Sequence, residues 1–326
     1  MSKIRVAVIG AGYLGRQHVR IYSQLDSVEL VGVVDTNPEI AQAVAREFHT
    51  VPYFSYEEVL GQVTAVSLAV PTVVHSQIGC QLLCGGVDLL VEKPIASSTS
   101  EADALIQAAH EHHCVLQIGH LERFNPAVIA ARKMLTAPLF FEVHRLGVFT
   151  SRSLDIDVVL DLMIHDLDIV LDFVRSPVVA VSAVGLPILS SKIDIANARI
   201  EFANGCVANV TASRVSSEKV RKLRFFQPNQ YLSIDYTRQD IVIMSVTSPP
   251  TAKAPAIVPN KIELSKIEPL RAEIESFLQA VRSRGQSAVS GEEGKRALEL
   301  GQQVVERIRD HTQALRLPVP VLPRLP

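Results

Sequence analysis

The segment VAVIGAGYLG, Val6 to Gly15, constrains this chain more than any other stretch. Ile4 to Ile9 is apolar apart from Arg5, the pattern of a parallel strand buried on both faces. It runs directly into Gly10, Gly12 and Gly15, a G-x-G-x-x-G set, and then into the helical stretch RQHVRIYSQL. Each glycine has a separate task. Gly10 permits a tight turn, Gly12 lets the backbone approach a pyrophosphate, and Gly15 lets helix and strand pack closely. Free amides at the helix start then bind phosphate oxygens. A second strand, ELVGVVD, ends on Asp35, twenty residues beyond Gly15, where a carboxylate meets an adenosine ribose. The expectation is a dinucleotide site holding NAD, because Asp35 repels the 2′-phosphate of NADP. Its contacts are Gly10, Gly12, Tyr13, Leu14, Gly15 and Asp35.

A basic start before an apolar run also fits a signal-peptide core. Here the run passes into a charged amphipathic helix without a small-residue cleavage site, so a cytoplasmic chain is expected. With 326 residues, two domains are expected. A net charge of −2 gives no basis for a nucleic-acid or anionic-membrane partner. No run of eighteen apolar residues occurs, which excludes a conventional membrane helix. Cys80, Cys84, Cys114 and Cys206 are scattered, so no disulfide framework is indicated. Cys80 and Cys84, four apart, read as small buried apolar residues rather than metal ligands.

Strand and helix signals alternate through residue 122. Asn37-Pro38 opens a helix with Ile40, Val44 and Phe48 on one face, and Ser55 to Glu58 reads as a capping box. AVSLAV and DLLVEKP are buried strands, a helix spans 73–84 before Gly85-Gly86, Ser100 begins another helix, and VLQIGH closes the sheet. The predicted fold class is α/β, with an N-terminal Rossmann-type doubly wound parallel sheet over residues 1–122. Ligands of such sheets lie beyond the carboxyl ends of the strands, where Pro71–His75, Glu92–Pro94 and Gly119–Pro126 fall. Residues 123–326 predict an α+β domain with a large antiparallel sheet for substrate binding and oligomerisation, and its C-terminal helices can pack back on the first domain. A helix at 126–135 leads into the strand LFFEVHRLGVF, and Asn204-Gly205 marks a hairpin. Another helix starts near Asp157, a polar Pro-rich connection runs from Ser248 to Pro259, and helices follow at 268–283 and 291–312. The tail LRLPVPVLPRLP reads as extended.

Lys93 follows a central strand, where the nicotinamide end of a dinucleotide reaches. A surface-directed lysine is one reading. The other is an ammonium, confined by Pro94, that stabilises a developing alkoxide. In DLMIHDLDIVLDF, Asp161, His165, Asp168 and Asp172 recur at helical spacing as one polar stripe. It reads as a solvated acidic face, as a metal site, or as a catalytic face on which His165 is a general base held by Asp161. No metal is expected there. His110, His112 and His113 end a helix far from the cleft and read as capping.

Taken together, GAGYLG, PTVVH, EKP and the Asp161, His165, Asp168 spacing resemble the glucose–fructose oxidoreductase and inositol 2-dehydrogenase (Gfo/Idh/MocA) family of nicotinamide-dependent sugar dehydrogenases. The resemblance spans nearly the whole chain. It implies that Lys93, Asp161 and His165 surround the reacting carbon, and that Pro71, Thr72, His75, Glu92 and Lys93 join the cofactor contacts. It also implies a homodimer or homotetramer paired through the open face of the second-domain sheet. GHLERFNPAV is similar to the corresponding segment of the UDP-N-acetylglucosamine 3-dehydrogenase subgroup, on the route to a 3-amino lipid A precursor. That similarity sets Arg123 beside the cofactor and Asn125 beside a nucleotide sugar, and offers Arg145 and Arg152 to its diphosphate. There is a departure. Glycines common in the family before the catalytic aspartate and histidine are replaced by Val158-Val159-Leu160 and Met163-Ile164, so a bulkier pocket wall is expected. The rivals are a catalytically silent dinucleotide sensor and a reductase of a non-sugar carbonyl.

Overall fold

The computed structural model describes residues 2–149, 156–247 and 256–314. Arg152, most of the 248–259 connection and the tail from Leu315 lie outside the described residues. The chain divides into two compact units, residues 1–121 with 268–298, and residues 122–267 with 299–326. A single cut at 122 therefore misassigns residues 268–298, which count with the first unit.

In the first unit the elements run β1 (Ile4–Ile9), α1 (Tyr13–Ser23), β2 (Val28–Val34), α2 (Pro38–Phe48), β3 (Val51–Tyr53), β4 (Ala65–Leu68), α3 (His75–Cys84), β5 (Asp88–Glu92), α4 (Thr99–Glu111) and β6 (Leu116–Gly119). The six strands are all parallel in the order β3-β2-β1-β4-β5-β6. Order reverses between β1 and β4, which leaves a crevice beyond their carboxyl ends. β4 and β5 are buried along their whole length, as expected of strands covered on both faces.

Local signals set the helix ends. The Asn37 side chain accepts from the Glu39 and Ile40 amides while Pro38 takes the first helical position. The Glu58 carboxylate accepts from the Ser55 amide at 2.8 Å. Two faces differ from expectation. In α2, Ala41, Val44 and Ala45 are buried and Ile40 is exposed. In α3, Gly79, Leu82 and Leu83 face the core, so Cys84 is exposed.

The second unit contains α5 (Pro126–Arg132), β7 (Phe140–Leu146), α6 (Ile164–Val174), β8 (Val178–Leu186), β9 (Ile195–Phe202), β10 (Val207–Ser213), β11 (Val220–Gln227), β12 (Gln230–Asp235), β13 (Asp240–Thr247) and β14 (Ala256–Ile262). These strands form one sheet in the order β14-β13-β12-β11-β7-β10-β9-β8. All its pairs are antiparallel except β7 with β10. Gly205, at φ +85°, turns the β9–β10 hairpin. Residues 256–259 are an edge strand rather than a connection, and an edge tolerates Pro259.

Two helices close the described chain, α7 (Pro269–Ser283) and α8 (Gly291–Ala314). Ile274, Phe277, Leu278 and Val281 of α7 share a core with Val6, Val8, Val19 and Tyr22 of the first unit. Leu300, Val304 and Ile308 of α8 join the second-unit core on one face of the eight-stranded sheet, with α5 and α6. No described helix is long and apolar enough to cross a membrane.

Candidate active site

The glycines separate into those the fold needs and one it does not. Gly10 has φ +93°, and a Cβ there would lie 2.4 Å from the Ala69 carbonyl oxygen. A Cβ on Gly15 would lie 1.7 Å from the Gly10 carbonyl oxygen. Gly12 caps α1 at φ −63°, an ordinary angle, and a Cβ there meets nothing within 4 Å. Its bare Cα leaves open space beside the amide end of a helix with no acidic first turn and no side-chain cap. That is an anion cradle, and a dinucleotide pyrophosphate fits it. Tyr13 is exposed at the start of α1, while Leu14 packs partly against the core. Asp35, just past β2, accepts from the Ala11 amide at 2.8 Å and the Asn37 amide at 2.9 Å. One carboxylate thereby fixes both the glycine turn and the end of β2.

Pro71 and Thr72 begin a short 3-10 turn after β4. The buried His75 ring lies 3.0 Å from the Pro94 carbonyl and 2.9 Å from the Val70 carbonyl. Burial pulls its pKa down, against the pull of those carbonyls. Its ring therefore lies against the segments that follow β4 and β5. Glu92 is buried at the end of β5, 3.0 Å from His18 Nε2. Lys93 follows, half-buried, before a cis Lys93–Pro94 peptide bond. A groove of about 820 Å³ opens near Leu116, at the start of β6, lined by His110, His113, Arg284 and Glu292. It lies by the amino-terminal end of β6, away from the carboxyl strand ends that carry these motifs.

In the second unit the expected single polar stripe divides. Val159–Met163 form a π turn ahead of α6, so Asp161 is out of phase with the α-helical residues that follow. Asp161 and His165 are half-buried, whereas Asp168 and Asp172 are buried. Asp168 receives a bidentate fork from Arg123 at 2.6 and 2.8 Å. Asp172 is 3.2 Å from Arg123 and 2.8 Å from Arg132. Arg123, expected beside the cofactor, is thus engaged by internal ion pairs. Asn125 is likewise internal. Expected on the sugar, it caps α5 by accepting from the Ala127 amide and donates to the Tyr236 carbonyl at 3.0 Å.

Arg145, offered to a diphosphate, is engaged internally too. It is buried against Asp166 at 2.6 and 2.9 Å, against Glu122 at 3.1 Å, and over the Tyr236 ring at 5.0 Å. Burial opposes its charge, but Asp166 and Glu122 overcome this and raise its pKa. Arg221, directly opposite Arg145 across the β7–β11 pair, escaped the sequence reading. It is half-buried, and its side chain makes no hydrogen bond or ion pair among the described residues. Burial and the Arg145 charge lower its pKa, while Glu122, Asp166 and Asp161 pull the other way. A cation of this kind near Asp161 suits an anionic ligand. Spacing carries no signal for it, since an arginine on a half-exposed strand is ordinary. His18 and Glu273 were missed too. The signal for Glu273 was legible: an acid among Leu270, Ile274 and Phe277 on the apolar face of α7.

Comparisons with known proteins agree with this geometry. The family described as "Oxidoreductase family, NAD-binding Rossmann fold" (GFO/IDH/MocA) matches residues 4–120, and the GFO/IDH/MocA C-terminal domain matches residues 139–231. The UDP-N-acetylglucosamine 3-dehydrogenase of Acidithiobacillus ferrooxidans is 39% identical over 305 residues, 93% of this chain and 97% of that protein. A solved structure of that enzyme superposes with a TM-score of 0.89 at 38% identity, over 95% of this chain and 99% of the other. The scyllo-inositol 2-dehydrogenase (NAD(+)) of Bacillus subtilis is 28% identical over 245 residues, 66% of this chain and 68% of that protein.

Proposed function

The chain belongs to the GFO/IDH/MocA oxidoreductase family, and from that premise we propose that it is an NAD-dependent dehydrogenase of a nucleotide sugar, oxidising the 3-hydroxyl of a substrate such as UDP-N-acetylglucosamine. The observation that carries the reading is the near full-length similarity to an enzyme of that name. Two features of the chain support it. Gly12 leaves a space at the start of α1 that the fold itself does not use, and Arg221 supplies a half-buried cation for a diphosphate.

NAD, when bound, supplies the acceptor for the hydride leaving the substrate carbon. Gly10, Gly12, Tyr13, Leu14 and Gly15 would hold its phosphates and Asp35 its ribose, with Pro71, Thr72, Glu92 and Lys93 bordering it. The chain's own residues manage the proton. His165 takes it from the substrate hydroxyl, and Asp161, in the π turn just before α6, orients the ring. The Lys93 ammonium donates to the same oxygen and stabilises the negative charge that develops there. Asp35 sets the preference for NAD over NADP by charge repulsion. The open sheet face, where Phe226 lies 5.8 Å from Phe140 and 5.2 Å from Tyr231, pairs subunits into a homodimer or homotetramer.

The test follows NADH absorbance across a panel of free, UDP-linked and GDP-linked sugars. A UDP-N-acetylhexosamine is expected to turn over fastest. Lys93→Met and His165→Asn are each expected to lower kcat about 10²–10⁴-fold while NAD affinity stays near normal. Arg221→Gln is expected to raise KM for the nucleotide sugar more than it lowers kcat. Equal rates on free and UDP-linked sugars overturn the substrate class, and near-normal turnover in His165→Asn overturns the assigned base.

A further inference from the structure

Three titratable side chains meet inside the first unit, away from solvent. His18 comes from α1, three residues after Gly15, Glu92 from the end of β5, and Glu273 from α7. One nitrogen or oxygen of each lies within 4.8 Å of the others. His18 Nε2 and Glu92 Oε1 are 3.0 Å apart. Glu273 is fully buried, and neither of its carboxyl oxygens has a hydrogen-bond partner.

Two carboxylates cannot both stay ionised in such a place. An ionised carboxylate buried without hydrogen bonds costs several kcal/mol, so the group takes a proton instead. The surroundings decide which of the two does so. Glu92 has the His18 ring against one oxygen, and Gly119 lies so close to the other that a Cβ there would be 2.9 Å away. Glu273 has no cation against it. The remaining titratable neighbours do not change the balance. Tyr22 of α1 bonds Ser67 at 2.8 Å and is held neutral by burial, and His75 of α3 is directed at two backbone carbonyls. From β6, only the neutral Gln117 reaches α7, donating to the Glu273 carbonyl at 3.1 Å.

We propose that His18, Glu92 and Glu273 are a buried proton-holding triad, with the proton on Glu273 and the negative charge on Glu92, and that this division positions Glu92 and so the strand end carrying Lys93. Burial, and then the charge of Glu92, push the Glu273 carboxyl well above the usual carboxylate range, in the same sense. The triad joins the helix that follows the glycine turn, the strand that presents Lys93, and a helix contributed from late in the sequence. Its residues are positioning residues, since they act through Glu92. The catalytic arm of the idea rests on the role proposed for Lys93, but the protonation arm needs no substrate.

Infrared spectroscopy of the full-length protein near neutral pH is expected to show the carbonyl stretch of a protonated carboxylic acid, lost in Glu273→Gln. A folded carboxyl with a raised pKa destabilises progressively as pH rises above its unfolded value. Glu273→Gln, an uncharged mimic, is therefore expected to gain Tm relative to the natural protein steadily from pH 5 to pH 8. Its kcat should stay within about threefold. His18→Gln, which leaves the Glu92 charge without an imidazole, is expected to lower kcat at least tenfold with NAD affinity within about threefold. A Tm difference that is flat with pH, or absence of the acid band from the natural protein, overturns the protonation assignment. The infrared measurement stands even if the variants fail to fold. One equivalent of tightly held divalent metal in the purified protein overturns it too, because the cluster is then a metal site. Equal losses of kcat and NAD affinity in His18→Gln overturn the positioning role.

Discussion

Substituting the three motif glycines one at a time should separate folding from cofactor binding. Alanine at Gly12 keeps φ near −63°, and its Cβ meets nothing within 4 Å. Fewer conformations in the unfolded chain favour alanine by about 0.4–1 kcal/mol, whereas the N-cap position favours glycine by a similar amount. Gly12→Ala is therefore expected to unfold within about 1 kcal/mol of the natural protein. Its binding should suffer, because the added methyl occupies the space into which a pyrophosphate must come to reach the amides. Losing one hydrogen bond to a charged group removes about 1.5–3 kcal/mol, which weakens NAD roughly 10- to 150-fold.

Gly15→Ala should behave oppositely. Its Cβ would lie 1.7 Å from a carbonyl oxygen, so α1 must part from the turn before any ligand arrives. Gly10→Ala adds a left-handed backbone to a 2.4 Å clash. Each is expected to lose at least about 2 kcal/mol of stability. Thermal and urea unfolding read the folding half, and calorimetric titration with NAD reads the binding half. If Gly12→Ala destabilises as much as Gly15→Ala, or binds NAD within twofold of normal, the second glycine does not keep space for a ligand.

Two further outcomes follow from the same geometry. Asp35→Ser should weaken NAD and narrow the gap to NADP, while Asp35→Asn, which keeps an acceptor for the Ala11 amide, should narrow the gap with less loss of NAD affinity; tighter binding of NADP than NAD by the natural protein refutes the charge argument. Asp166→Ala removes the bidentate partner of Arg145 from a dry site, and with Glu122 still present the loss should fall near the lower end of about 3–5 kcal/mol in urea unfolding; a loss below about 1 kcal/mol would mean that water reaches the guanidinium.

What was legible in the sequence was short-range. The glycine spacing, the Asn37-Pro38 helix start, the Glu58 capping box and the Asn204-Gly205 hairpin each depend on residues within a few positions of one another, and all four form as read. Buried strands such as AVSL were legible because a parallel sheet covered on both faces has no polar side to show. What escaped was pairing across the chain. Arg123, Asn125 and Arg145 look like ligand contacts, since polar side chains near a motif usually are. Their partners Asp168, Tyr236 and Asp166 lie 45, 111 and 21 residues away, and no local rule couples them. Pro259 misled in the other direction: proline argues against a central strand, but at an edge the missing amide has no partner to lose.

The stripe from Asp161 to Asp172 shows why spacing alone could not finish the site. Four polar residues at i, i+4, i+7 and i+11 share a face only if every turn is α-helical. The π turn at Val159–Met163 widens one turn and moves Asp161 relative to the rest. Even the three within α6 do not share an environment, because arginines from outside the helix claim Asp168 and Asp172 and leave His165 half-exposed. A buried carboxylate held by a bidentate arginine has little freedom to move, whereas Asp161 and His165 are half-buried. The tertiary ion pairs thus divide a uniform-looking stripe into a buried, arginine-paired part and a half-buried part. The role proposed for Asp161 therefore rests on its half-buried place ahead of α6, whereas Asp168 is engaged by Arg123, although the sequence presents the two alike.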